Sequence, residues 1–272
     1  GDHGLPEEDS VSFKEAFGKV RREKEAQIVR VGCVDLPHIS NFTDLDALGL
    51  EPDVALSLVR EPGDVDQVDV LILPGSKSTL ADLAWLRSRG LDRALERLLE
   101  RGGEVVGICA GFQMLGQSIT DPLGIESRGQ QGAERVPLGL LPLVTEMGPD
   151  KVLTRLDVQH AESGHMVTGY EIHHGQTHHI PDVSSEAVPI LEHKGRALGF
   201  RAGNGAVWGA YLHGLFDADG FRRHVVDTWR TRQGLSPKGE VVTSYDLGPR
   251  LDRLADTLRA HLDWETLRRM IA

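Results

Sequence analysis

Short apolar runs, separated by segments with helical spacing, organise the first half of the chain. "QIVRVGCVDL" (27–36) is β-rich, and "VALSLVRE" (54–61) reads as a second short strand. "VDVLILPG" (68–75) is a continuous apolar run of the kind that buries both its faces in a parallel sheet. "STLADLAWLRSRGLDRALERLLERGG" (78–103) then spaces its leucines for one helix and stops on paired glycines. After it "EVVGIC" (104–109) predicts a strand and "AGFQMLGQSI" (110–119) a helix. Strand and helix alternating in this way imply right-handed crossovers and a parallel sheet covered on both faces.

From about 120 to 200 the pattern changes to β-like pieces broken by glycine and proline, such as "RLDVQH" and "HMVTGYEIHHG", which predict antiparallel additions or long loops. "GAVWGAYLHGLF" (205–216) is a further buried strand, and two helical segments, 219–234 and 248–271, close the chain. The last carries an apolar stripe suited to its own sheet or to a partner, the own sheet being preferred. The fold expected is α/β, three-layer and flavodoxin-like: a mostly parallel sheet with helices on both faces and antiparallel additions. Residues 1–25 are polar and read as a tail or linker, leaving 26–272 as the folded domain.

Composition narrows the function. With 40% hydrophobic and 26% charged residues the chain is an ordinary globular one, and a net charge of −11 argues against nucleic acid as its main partner. No apolar run approaches the length of a membrane span, and two cysteines are too few for a disulfide framework, so a reducing cytoplasm is expected. The chain opens on Gly1 and not on Met, as a processed chain or a piece of a longer polypeptide would.

Chemistry concentrates where strands end. Cys109 closes the apolar run "EVVGIC" just before a helical pattern, with Gly107 and Gly111 beside it to permit a sharp turn. At that junction the next helix aims its N-terminal amides at the sulfur and favours a thiolate, the mechanics of a nucleophile elbow with sulfur for oxygen. The alternative, a buried packing cysteine, fits Cys33 better, inside a strand with no turn after it. His213 repeats the design in "YLHGLFD" and is the candidate base, against the plain reading of a surface histidine after a strand. In "LILPGSKST" no glycine precedes Lys77, so this is not a phosphate loop. Its backbone N–H groups at Gly75 and Ser76 suit a developing oxyanion, or the loop is a plain strand-to-helix turn. "YEIHHGQTHHI" packs four histidines into seven residues, but without a nearby cysteine or metal-ligand spacing it reads as a pocket loop and not a metal site.

Five segments in order, "DLPHISNFTDLDAL", "LILPGSKSTLADLAWLR", "GICAGFQMLG", "GYEIHHG" and "GAYLHGLFD", resemble the glutamine amidotransferase domain of cobyric acid synthase, a relative of the triad-type (class I) amidotransferases. The resemblance runs from about residue 26 to 240. It implies a glutaminase that supplies ammonia for amidation of corrinoid side-chain carboxylates, with Cys109 as nucleophile and His213 as its proton-transfer partner. It further implies Gly75, Ser76 and Ala110 at the oxyanion, and Gln113, Tyr170 and His173 near the substrate. No cofactor is expected in this domain; ATP and Mg belong to a synthetase half, in cis or in trans, that 25 residues cannot hold. Two positions depart from the pattern. Leu215 stands where triad-type enzymes have glutamate, leaving a Cys–His pair with Glu171 as a possible orienting group. Ala110 stands where glycine is usual, which would tighten the elbow if the backbone angle there is unusual. Similar domains of cobyrinic acid a,c-diamide synthase, a cell-wall precursor amidase, and a non-catalytic docking module are the alternative readings.

Overall fold

A computed structural model describes residues 27–127, 132–180 and 186–271. The tail reading of residues 1–25 lies outside the described residues. The apolar runs become strands β1 (Val29–Val34), β2 (Val54–Val59), β3 (Val70–Leu73) and β4 (Glu104–Ile108). Every residue of β3 and β4 is buried, as expected of β-branched and aliphatic runs covered on both faces. β5 (Ser118–Asp121), β6 (Ala133–Arg135), β7 (Leu143–Glu146), β8 (Val152–Gln159), β9 (Met166–His173) and β10 (Gln176–His179) follow. β11 (Ala187–His193), β12 (Arg196–Ala202), β13 (Val207–Ala210) and β14 (Leu212–His213) complete them.

Among the described residues the main sheet has seven strands in the order β11-β12-β13-β4-β3-β1-β2. The five from β13 to β2 pair in parallel, and β11 and β12 extend the edge antiparallel. Two smaller sheets, β10-β7-β5-β6 and β14-β9-β8, are the additions. The fold is thus α/β with a mixed sheet, as the alternation predicts.

Three boundaries differ from the sequence reading. The leucine-spaced segment is two helices, Thr79–Ser88 and Leu91–Glu100, because Gly90 turns left-handed at φ 71° between them. The helix after Cys109 ends at Met114, and 118–121 joins a sheet instead. The run 205–216 divides at Tyr211, so β13 lies in the main sheet and β14 in the three-stranded one.

The helix Asp219–Arg232 docks through buried charge. Arg222 Nε meets Glu51 at 2.7 Å, and Arg223 and Arg230 each reach Asp53 at 3.1 Å. Both carboxylates are fully buried, so each guanidinium removes a desolvation cost that neither partner could bear alone. The final helical segment is two helices, Gly248–His261 and Trp264–Ile271. No residue of the first is buried, so its apolar stripe does not pack into the sheet core, contrary to the sequence preference.

Candidate active site

The parallel strands end together, and the candidate residues gather at that carboxyl edge. β4 delivers Cys109 directly. Its N–H bonds to Ala210 O at 2.8 Å on the neighbouring strand, and its carbonyl accepts the N–H of Gln113 to start the helix Ala110–Met114. Between strand and helix the cysteine takes φ 52° and ψ −106°, a conformation costing a non-glycine residue about 1–3 kcal/mol. Its neighbours make that turn possible. A Cβ on Gly111 would fall 2.0 Å from Leu73 O, and one on Gly107 would fall 2.7 Å from the Gly111 carbonyl. Ala110 begins the helix with ordinary backbone, so the unusual angle sits on the nucleophile itself and the methyl group is tolerated.

His213 reaches the same point from β14 and is 1% exposed. Its Nδ1 lies 2.7 Å from Asp44 Oδ2, while Asp44 Oδ1 accepts the Gly214 N–H at 2.9 Å. With Nδ1 so committed, Nε2 is the nitrogen left for the Cys109 side chain, with which the imidazole also interacts. Burial opposes charge on His213, but the Asp44 carboxylate and then the Cys109 sulfur outweigh it and push the imidazole up to about 10. The three side chains form a Cys–His–Asp arrangement. Asp44 is the residue that the sequence reading missed. It lies in the quoted stretch "NFTDLDAL", 169 positions from the histidine it orients.

Glu171 does not take that part. Its carboxylate accepts from Arg196 and sits 3.1 Å from His173 Nε2. Burial penalises its charge, but these two partners hold it down at about 2. Leu215 is 1% exposed in the core, so nothing acidic stands two residues after the histidine.

The other candidates surround the pair. Tyr170 stacks on the His213 ring at 5.3 Å between centroids. Gly75 touches the same ring from the β3 loop, where a Cβ would come 3.0 Å from His213 Cε1. Ser76 accepts the Ser78 N–H and donates its hydroxyl to Asp82 at 2.6 Å, which shapes that loop. Gln113 is buried, donating to His174 O at 2.8 Å and to the Tyr211 hydroxyl at 3.2 Å. His173 stacks on Tyr211 at 3.7 Å. Thr79 links Gln113 to Glu126, a polar group the sequence reading did not single out. His174, also in the histidine-rich loop, bonds Gly148 O.

A buried cysteine on a left-handed elbow, facing a carboxylate-oriented histidine, is the chemistry of acyl transfer. Residues 30–221 match the model of the CobB/CobQ-like glutamine amidotransferase domain. The chain belongs to this amidotransferase family. The amidotransferase is 46% identical over 298 residues to the cobyric acid synthase of Nitratidesulfovibrio vulgaris, with 96% of this chain and 54% of that protein covered. It is 42% identical over 260 residues to the adenosylcobalamin biosynthesis bifunctional protein CobDQ of Leptospira interrogans, covering 95% of this chain and 29% of that one. The amidotransferase thus spans about half the length of the cobyric acid synthases it matches. A crystal structure of a glutamine amidotransferase superposes with a TM-score of 0.54 at 19% identity, covering 75% of this chain and 99% of that one. That likeness concerns the fold alone.

Proposed function

We propose that the chain is the glutaminase part of a cobyric acid synthase, releasing ammonia from glutamine for ATP-dependent amidation of corrinoid side-chain carboxylates. The observation that carries the reading is the Cys109–His213–Asp44 arrangement at the carboxyl edge of the parallel strands. The relatives' names supply the acceptor chemistry.

In this reading the Cys109 sulfur attacks the side-chain amide carbon of glutamine. Carbon–sulfur bond formation and carbon–nitrogen cleavage leave a γ-glutamyl thioester, and the proton held on His213 Nε2 goes to the departing nitrogen. Asp44 keeps the ring in the tautomer and orientation this requires. The carbonyl oxygen, negative in the transition state, is received by the N–H of Ala110 at the helix start and by those of the Gly75–Ser76 loop. Water then takes the thioester to glutamate and restores the thiol. Gln113, Tyr170 and His173 shape the substrate side. ATP and Mg2+ act in the synthetase half, which joins this domain in cis or in trans, within the cytoplasm.

Two features that favoured a non-catalytic docking role lose their force. Ala110 sits in ordinary helical backbone, and Asp44 supplies the carboxylate that position 215 lacks.

The test is mass spectrometry after incubation with a glutamine-mimicking diazoketone, followed by glutamate release with the synthetase half present. A single adduct on Cys109, suppressed by glutamine and absent from Cys109→Ser, is expected, with glutamate release lost in Cys109→Ala. A glutaminase-active Cys109→Ala protein would overturn the reading.

A further inference from the structure

Developing charge is stabilised best by donors fixed in advance, and a strand-to-helix loop holds its N–H groups steady only if its backbone is tied. The loop after β3 is tied from two directions. On one side it pairs with the segment that follows β1. Ser40 N–H donates to Gly75 O at 3.0 Å and Lys77 N–H to His38 O at 2.9 Å, flanking an antiparallel bridge between Ile39 and Ser76. In a pair flanked in this way the central residues turn their own N–H and carbonyl groups away from each other's segment. The Ser76 N–H is thereby directed outward, and it meets no acceptor among the described residues.

On the other side stands Asp82, in the first turn of the helix Thr79–Ser88 and fully buried. Its Oδ2 accepts the Ser76 hydroxyl at 2.6 Å and the His38 N–H at 3.2 Å, and its Oδ1 accepts from His38 Nδ1 at 2.7 Å. One carboxylate therefore grips both halves of the bridge, and three donors offset the cost of burying it. The Ser76 hydroxyl oxygen also accepts the Ser78 N–H at 2.9 Å, which joins the loop to the start of the helix. Gly75 is held in the same packing: a Cβ there would come 3.0 Å from His213 Cε1 and 3.3 Å from Ser40 Oγ.

We propose that Asp82 is the positioning residue of the oxyanion loop: by holding Ser76 and His38 together, its carboxylate aims the Ser76 N–H at the oxygen that becomes negative when Cys109 attacks. The proposal rests on the glutaminase reading. Asp82 itself touches no substrate and moves no proton; it acts through the backbone of the loop.

Asp82→Ala and Ser76→Ala test it, cutting the 2.6 Å bond from either end, the second without emptying a buried site. Both are assayed with the synthetase half present, for glutamate release and for alkylation of Cys109 by iodoacetamide. Displacement of iodide by the thiolate develops no carbonyl oxyanion, so it reports the Cys109–His213 pair alone. Cys33, fully buried in β1, stays unmodified while the sheet is intact. In each variant kcat for glutamate release falls about 10- to 100-fold while KM stays within about threefold of wild type, because the lost alignment matters only in the transition state. Cys109 is alkylated at the wild-type rate. Asp82→Asn can accept from Ser76 and the His38 N–H through its carbonyl and donate to His38 Nδ1 through its amide, so its kcat stays within about threefold of wild type. A kcat within about threefold of wild type in Ser76→Ala, or alkylation that falls in step with kcat, overturns the proposal, as does an Asp82→Asn protein as slow as Asp82→Ala. If Cys33 becomes reactive in Asp82→Ala, Ser76→Ala decides alone. Absence of glutamate release in the wild-type assembly would instead overturn the glutaminase reading beneath it.

Discussion

Replacing Asp44 by asparagine isolates the least legible member of the site. The side chain is 4% exposed, and its two oxygens are committed to His213 Nδ1 at 2.7 Å and Gly214 N–H at 2.9 Å. Asparagine can keep the Gly214 bond through its carbonyl. Its amide, however, donates to Nδ1, so the ring must carry its proton on Nε2 and can no longer accept the thiol's. The lost charge-assisted bond alone is worth about 1.5–3 kcal/mol, or about 10- to 150-fold at 1.4 kcal/mol per decade. With the wrong tautomer added, kcat falls on the order of 10²- to 10⁴-fold. KM changes little, because both Asp44 oxygens are committed to His213 and Gly214 and neither is free to meet substrate. The imidazole that Asp44 holds up at about 10 drops when the carboxylate is removed, so the alkaline limb of the rate profile moves to lower pH. Glutamate release, coupled to a dehydrogenase and followed from about pH 6 to about pH 10, reads both effects. A kcat within about threefold of wild type, or an unmoved alkaline limb, would refute the orienting role.

Other outcomes follow from the same geometry. Cys109→Gly and Cys109→Ala both lose glutaminase activity, but the glycine protein is the more stable by about 1 kcal/mol in urea titration, since φ 52° no longer strains it; equal midpoints would argue against stored strain. Burial lifts the Glu104 carboxyl from 4.5 to about 7 against the opposing bonds of Trp208 and Trp229 and the Arg232 charge. That contribution to stability is complete below the unfolded value and lost as pH rises through about 7, a fall of roughly 3 kcal/mol that Glu104→Gln removes from the pH profile of denaturation; matching profiles for the two proteins would count against it. Asp53→Asn takes from Arg230 its buried counter-charge, while Arg223 keeps Glu51 and Asp227, and destabilises by about 3–5 kcal/mol. A change below about 1 kcal/mol would show that other groups carry that helix.

The elements that set the fold were legible because burial on both faces writes itself into the chain. β3 and β4 are continuous apolar runs, and Cys109 stands out as a thiol at the end of one. His213 is legible for the same reason, at the end of "GAYLH". Asp44 is not, because its role depends on a 169-residue separation closed only by the sheet, and two acidic side chains share its short stretch. Glu171 is the decoy of this pattern: it neighbours Tyr170 in sequence but alternates to the other face of β9, where Arg196 claims it. The division at Tyr211 escaped for a different reason. One apolar run serves two sheets in succession, and hydrophobicity does not mark where the partner strand changes.

That division has a consequence for the rate. The proposed nucleophile and base ride on different sheets, Cys109 at the end of β4 and His213 on a two-residue strand held by β9. A shift of about 1 Å between reacting groups costs on the order of 100-fold, so the seating of one sheet on the other works as a clutch. Glycine is required inside the smaller sheet, since a Cβ on Gly169 of β9 would fall 2.2 Å from His213 O on β14. A displacement of β9 would therefore reach the His213 imidazole, the candidate base, through the β9–β14 pairing.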